Sequence, residues 1–222
     1  QGMVLFKSPN LFSGFVDPAD NAKAFTADGW LATGDLGWID GEGRLNLSGR
    51  SKDLIIRSGH NIDPKVIEDA LGAHPAVQLC AAVGAPDAYA GELPVVFATL
   101  VPGASATEDE LLAFTAARVD EAPAKPKSVI VIENMPMTNV GKIYKPELRA
   151  MAASRVVAAA VEQDCGELGV DAAARPRVGH EGEGLVEVGI DATAAGTLAA
   201  PLQQRIEAAL APLPFKTRVR AE

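Results

Sequence analysis

Gly49-Arg50-Ser51-Lys52-Asp53-Leu54-Ile55-Ile56-Arg57-Ser58-Gly59-His60-Asn61-Ile62-Asp63-Pro64 decides how the rest of the chain is read. Basic side chains, an acid, a short apolar run and a polar glycine turn are packed together too tightly to be a domain core, so the stretch reads as a junction. Arg50 and Lys52 lie two apart and, in extended backbone, would point to one face and meet one anionic ligand. Leu54-Ile55-Ile56 enters a sheet, and Ser58-Gly59 lets backbone approach something narrow. Asp63-Pro64 starts a helix, with the acid as N-cap and proline at the first helical position. The alternative is a plain basic turn between two strands.

Upstream, residues up to Asp28 are loop-rich, with a short helix at Pro18 to Phe25 and no core of their own. Trp30 to Ile39 and Arg44 to Ser48 read as strands joined by the turn Asp40-Gly41-Glu42-Gly43. Downstream, Pro64 to Ala73 is an amphipathic helix, and Leu79 to Val83 and Pro94 to Val101 are apolar strands. Thr107 to Glu110 is a capping box opening a helix to about Val119, and Val129 to Ile132 is a third strand. Helix, strand, strand, helix, strand predicts an α+β unit with a small three-stranded sheet covered by helices. Pro136-Met137-Thr138-Asn139-Val140-Gly141-Lys142-Ile143 is a polar loop before a helix starting near Pro146. It lacks the upstream glycine and following Ser or Thr of a P-loop. An alanine-rich helix to about Val161 and a polar stretch from Cys165 to His180 follow. A second small α+β unit ends the chain: strand Leu185 to Ile190, helix Pro201 to Leu210 and strand Phe215 to Val219. His180 and Glu181 have no second histidine at ligand spacing, which argues against a metal site.

A hydrophobic content of 48% over 222 residues supports real cores. The net charge of -9 argues against nucleic acid, which needs a dense basic surface. Cys80 and Cys165 form neither a disulfide framework nor a metal-ligand spacing, which suits a reducing, cytoplasmic setting. No run reaches membrane-spanning length. The chain opens mid-pattern, as if cut from something longer.

Three features now stand in one order: Gly29-Trp30-Leu31-Ala32-Thr33-Gly34-Asp35-Leu36-Gly37, then Gly49 to Pro64, then Pro136 to Lys142. That ordered set resembles the carboxyl-terminal part of the adenylate-forming superfamily of acyl-CoA synthetases, peptide-synthetase adenylation domains and luciferases. The resemblance runs to about Arg149. It implies an AMP-forming acyl-CoA synthetase, an acid–thiol ligase that turns a carboxylic acid, most closely a fatty acid, with ATP and CoA into acyl-CoA, AMP and pyrophosphate. Mg²⁺ would accompany the ATP.

By the same resemblance, Asp35 accepts hydrogen bonds from the ribose hydroxyls of the nucleotide and Arg50 joins it there. Lys52 is the hinge about which the small domain turns, and Ser58-Gly59 faces the pantetheine tunnel of CoA. Lys142 is the catalytic lysine of adenylation, where carboxylate attack on the α-phosphate loads charge onto oxygen and a positioned cation is worth roughly 3 kcal/mol. The implied layout is 1–51 as the end of an amino-terminal domain, 52–150 as the mobile domain and 151–222 as an extension. The partner of the mobile domain would be the amino-terminal domain of the same chain. The fragment alone is expected to be inactive. A carrier protein as acyl acceptor, and a non-catalytic interaction or homodimerisation module, are the alternatives.

Overall fold

The computed structural model describes residues 2–180 and 185–221, which form two compact units divided between Leu54 and Ile55. Glu181, weighed above beside His180, lies outside the described residues.

The first unit contains strand β1 (Gly2–Phe6), helix α1 (Pro18–Ala24) and strands β2 (Leu31–Ile39) and β3 (Leu45–Arg50), with the strands ordered β1-β2-β3. Asp17 caps α1 by accepting from the Ala19 amide, as a short polar residue before a proline should. The β2–β3 turn is closed by Asp40, whose carboxylate accepts from the Glu42 and Arg44 amides and the Arg44 guanidinium. Those bonds hold its pKa below the ordinary carboxylate value. β1 departs from the loop expected there, because its apolar run is drawn into the sheet by antiparallel pairing with β2.

The second unit opens with β4 (Ile55–Arg57), β5 (His60–Ile62), α2 (Pro64–Gly72), β6 (Val77–Asp87), β7 (Gly91–Leu100), α3 (Glu108–Ala116), β8 (Ser128–Val131) and α4 (Lys145–Leu168). The fold is α+β, but its sheet has five strands rather than three: β5-β4-β7-β6, with β8 parallel to β7. The additional pair is the β4–β5 hairpin, which joins through Arg57 opposite Gly91. Both faces are covered, which is why β6 and β7 are continuous apolar runs. Ala82, Val96, Ala98 and Val129 pack with Ile67 and Leu71 of α2 and Leu111 of α3. On the other face Ala81, Val83, Phe97 and Ile130 pack with Leu148 and Ala152 of α4. Asp63 caps α2 ahead of Pro64, and Thr107 with Glu110 forms a reciprocal capping box on α3.

The chain ends in β9 (Arg177–His180), β10 (Leu185–Ile190), the single-turn α5 (Ala192–Ala195), α6 (Ala199–Leu210) and β11 (Lys216–Ala221). These strands form a sheet ordered β11-β10-β9. Val186, Val188 and Ile190 face Leu202, Ile206 and Leu210 of α6 and Val157, Val161 and Cys165 of α4. Thus α4 serves two cores. It runs past the expected end near Val161 because Cys165, fully buried, extends the stripe Val157-Val161 at helical spacing. Gly169, at φ 67, then closes the helix.

Candidate functional site

In the first unit, cross-strand pairing sets Asp35 of β2 directly opposite Arg50 of β3, and Arg50 Nε lies 3.3 Å from Asp35 Oδ1. Both side chains are well exposed, so this pair adds at most about 1 kcal/mol to stability. Its value lies in presentation. Thr33 Oγ1 donates to the Val4 carbonyl at 2.9 Å and accepts from the Asp35 amide at 3.1 Å. Gly34 holds φ 77, a left-handed conformation that side chains resist, and Ser51 donates to its carbonyl at 3.2 Å. The result is a fixed carboxylate beside a guanidinium, suited to a pair of vicinal hydroxyls next to an anion.

Lys52 is exposed in a single 3₁₀ turn, Ser51–Asp53. The strand ends at Arg50, so the expectation that Arg50 and Lys52 share one face of an extended segment does not hold. The turn breaks the alternation of side chains on which that expectation relied.

In the second unit, Ser58 and Gly59 form the two-residue turn between β4 and β5, with φ 48 and 84. Two positive φ values match the right-handed twist of a hairpin. Ser58 is the one non-glycine residue with positive φ among those described. A Cβ on Gly59 would meet nothing within 4 Å, so backbone conformation, not space inside this unit, asks for glycine there. Three bonds beyond the strand pairing anchor the hairpin: the Ser58 amide donates to Ala90 O at 2.8 Å, the Ile56 amide donates to Glu92 Oε2 at 2.8 Å, and Arg57 Nη1 donates to Pro123 O at 2.7 Å.

Lys142 sits on a second tight turn, between β8 and α4. Met137 pairs with Ile143, the Tyr144 amide donates to Pro136 O at 2.8 Å, and the Thr138 amide donates to Lys142 O at 2.7 Å. Thr138 Oγ1 accepts from the Lys142 amide at 3.1 Å, and Gly141 turns the chain at φ 75. These bonds brace the backbone of the turn at both strands, while the Lys142 side chain is exposed and pairs with no acid among the described residues. A strongly bonded stem carrying an open ammonium can deliver a cation to an anionic ligand without reordering the loop.

Two sets of side-chain contacts made by α4 had no signal in the sequence. Lys145 Nζ lies 2.7 Å from Glu68 Oε1, and the same oxygen accepts from the Ala82 amide at 2.9 Å. The partners are separated by 77 positions, and no local pattern joins them. His180 bridges Glu147 Oε1 at 3.0 Å and Ser154 Oγ at 3.3 Å, which accounts for both ring nitrogens. Among the described residues no group of three metal-ligating side chains occurs, and no helix is long and apolar enough to cross a membrane.

Residues 66–142 match the AMP-binding enzyme C-terminal domain family. The chain is 47% identical over 148 residues to marinolic acid–CoA ligase of Pseudoalteromonas sp. (strain SANK 73390), covering 67% of this chain and 23% of that protein. It is 40% identical over 148 residues to long-chain-fatty-acid–CoA ligase of Bacillus subtilis (strain 168), covering 66% and 26%. Among solved structures, ATP-bound MatB from Rhodopseudomonas palustris superposes with a TM-score of 0.65 at 34% identity, over 69% of this chain and 31% of that one. The Bacillus subtilis o-succinylbenzoate CoA synthetase MenE in complex with its acyl-adenylate intermediate gives 0.61 at 32% identity, over 67% and 30%. The chain spans about a quarter of the length of the curated relatives it matches. By its sequence and its fold, this chain carries an AMP-binding enzyme C-terminal domain.

Proposed function

We propose that the protein carrying this chain is a cytoplasmic AMP-forming acid–CoA ligase, with fatty acids its favoured substrates, and that Lys142 is its adenylation lysine. In the first half-reaction a substrate carboxylate oxygen attacks the α-phosphorus of ATP and pyrophosphate leaves. Two anions meet there, and the Lys142 ammonium offsets their repulsion as charge gathers on the bridging oxygens. Asp35 takes the ribose hydroxyls and Arg50 lies beside them. Rotation about Lys52 then withdraws the Lys142 turn and brings the Ser58-Gly59 hairpin to the acyl-adenylate. The CoA thiol attacks the acyl carbon along that hairpin, and AMP leaves. Mg²⁺ enters as the counter-ion of ATP rather than as a group these residues hold.

The observation that carries this reading is Lys142 itself, an open cation on a turn braced by backbone and Thr138 hydrogen bonds. The exposed apolar side chains of the first unit support a covering amino-terminal domain in the same chain. Residues 1–222 alone are then inactive in adenylation, because their sequence holds no phosphate-cradling glycine loop. The test is Lys142→Ala in the full-length protein. ATP–pyrophosphate exchange should fall about 10²–10³-fold. Exchange at the parent rate would remove the assignment.

A further inference from the structure

We propose that Glu68 and Lys145 are positioning residues that hold the Lys142 turn in place for adenylate formation; this rests on Lys142 serving that step. Lys145 is the first residue of α4, and only Ile143 and Tyr144 separate it from Lys142. A lysine is poorly placed at a helix N-terminus, where the helix dipole repels its charge. Tyr144 at the N-cap supplies no side-chain bond to the open amides. Helix formation therefore does not explain Lys145. Glu68 does.

Its carboxylate accepts from Lys145 at 2.7 Å and from the Ala82 amide at 2.9 Å, so one oxygen ties the start of α4 to the centre of β6. Its backbone carbonyl accepts from Cys80 Sγ at 3.3 Å. Burial, with the Glu68 and Asp69 carboxylates nearby, pushes the Cys80 thiol up to about 11, so it remains a donor across the physiological range. Elements α2, β6 and α4 thus meet in one polar knot at the foot of the turn. The Lys145 and Glu68 side chains are only 19% and 24% exposed, so neither charge is fully hydrated if its partner is removed. The other strand of the turn stands on Met135, which is 8% exposed in the core beneath. Release of Lys145 would loosen one leg and leave the other in place, which displaces the tip rather than unfolding it. A displacement of about 1 Å can cost about 10²-fold in rate.

The experiment measures single-turnover adenylate formation, and thioester formation from pre-made acyl-adenylate, in the full-length ligase. The variants are Glu68→Gln, Lys145→Met, Lys145→Arg and, as reference, Lys142→Ala. Glu68→Gln and Lys145→Met should slow adenylate formation about 10- to 100-fold while thioester formation stays within about twofold. Lys145→Arg, which keeps the ion pair, should restore most of the rate. A slow Lys142→Ala with normal adenylation in Glu68→Gln and Lys145→Met would overturn the positioning role alone. Equal loss in both half-reactions, or failure of both variants to fold, would overturn it in favour of a purely structural pair. Normal adenylation in Lys142→Ala would remove the reading of Lys142 itself, and the positioning role with it.

Discussion

Residues 2–54 and residues 55–221 both build antiparallel strands and both carry residues of the proposed nucleotide site, yet they bury side chains in opposite ways. In the first, Gly37 alone is buried among the described residues, and Trp38, Ile39, Leu45 and Leu47 are 46%, 72%, 54% and 58% exposed. In the second, three apolar clusters fill the space on both faces of one sheet and beneath another, with Phe97, Leu71, Leu148 and Leu202 fully enclosed. The difference separates two ways of carrying a functional residue. The Asp35–Arg50 pair is shaped by strand register but stands on a sheet without a core. Lys142 and Ser58-Gly59 stand on turns braced by a core of their own.

The largest effect expected from this contrast is in autonomy. Residues 55–222 expressed alone should melt cooperatively and give dispersed amide resonances. Residues 1–54 alone should not, because their apolar side chains lack cover. A cooperative melt from the shorter piece would erase the distinction. A smaller effect sharpens it by one side chain on each side: Phe97→Ala should cost about 3–5 kcal/mol in the 222-residue chain. Leu47→Ala, at an exposed site, should stay within about 0.5 kcal/mol in the same chain, as read by chemical denaturation.

Elements whose start and stop chemistry is local were legible from sequence. Asp63 before Pro64 caps α2, Thr107 with Glu110 boxes α3, and the alternating run Leu185–Ile190 is β10 with the bounds expected. The turn Asp40 to Gly43 is visible in composition, but the strand expected after it stops at Ser48, short of Arg50, so the meeting of Asp35 with Arg50 is implied by the resemblance and not by the strand bounds. What escaped depends on partners far away in sequence. β9, with Gly179 between Val178 and His180, has little strand preference of its own and takes its form from pairing with β10. The five-stranded sheet needed the β4–β5 hairpin to find β7, and the Glu68–Lys145 pair needed α2 and α4 to meet at β6. The shared face expected of Arg50 and Lys52 fails for a local reason: a 3₁₀ turn over Ser51–Asp53 interrupts a strand-like composition with no glycine or proline within it to mark it.

The central claim is that two turns of one unit serve two different half-reactions. It is tested most directly by measuring both half-reactions, adenylate formation and acyl transfer to CoA, in Lys142→Ala and Gly59→Leu of the full-length protein. Gly59 has φ 84 and open space around it, so leucine there adds bulk and backbone strain at the hairpin tip without crowding the fold beneath. Lys142→Ala should lose adenylate formation and keep acyl transfer, and Gly59→Leu should do the reverse. Loss of the same half-reaction in both variants would contradict the assignment of the two turns.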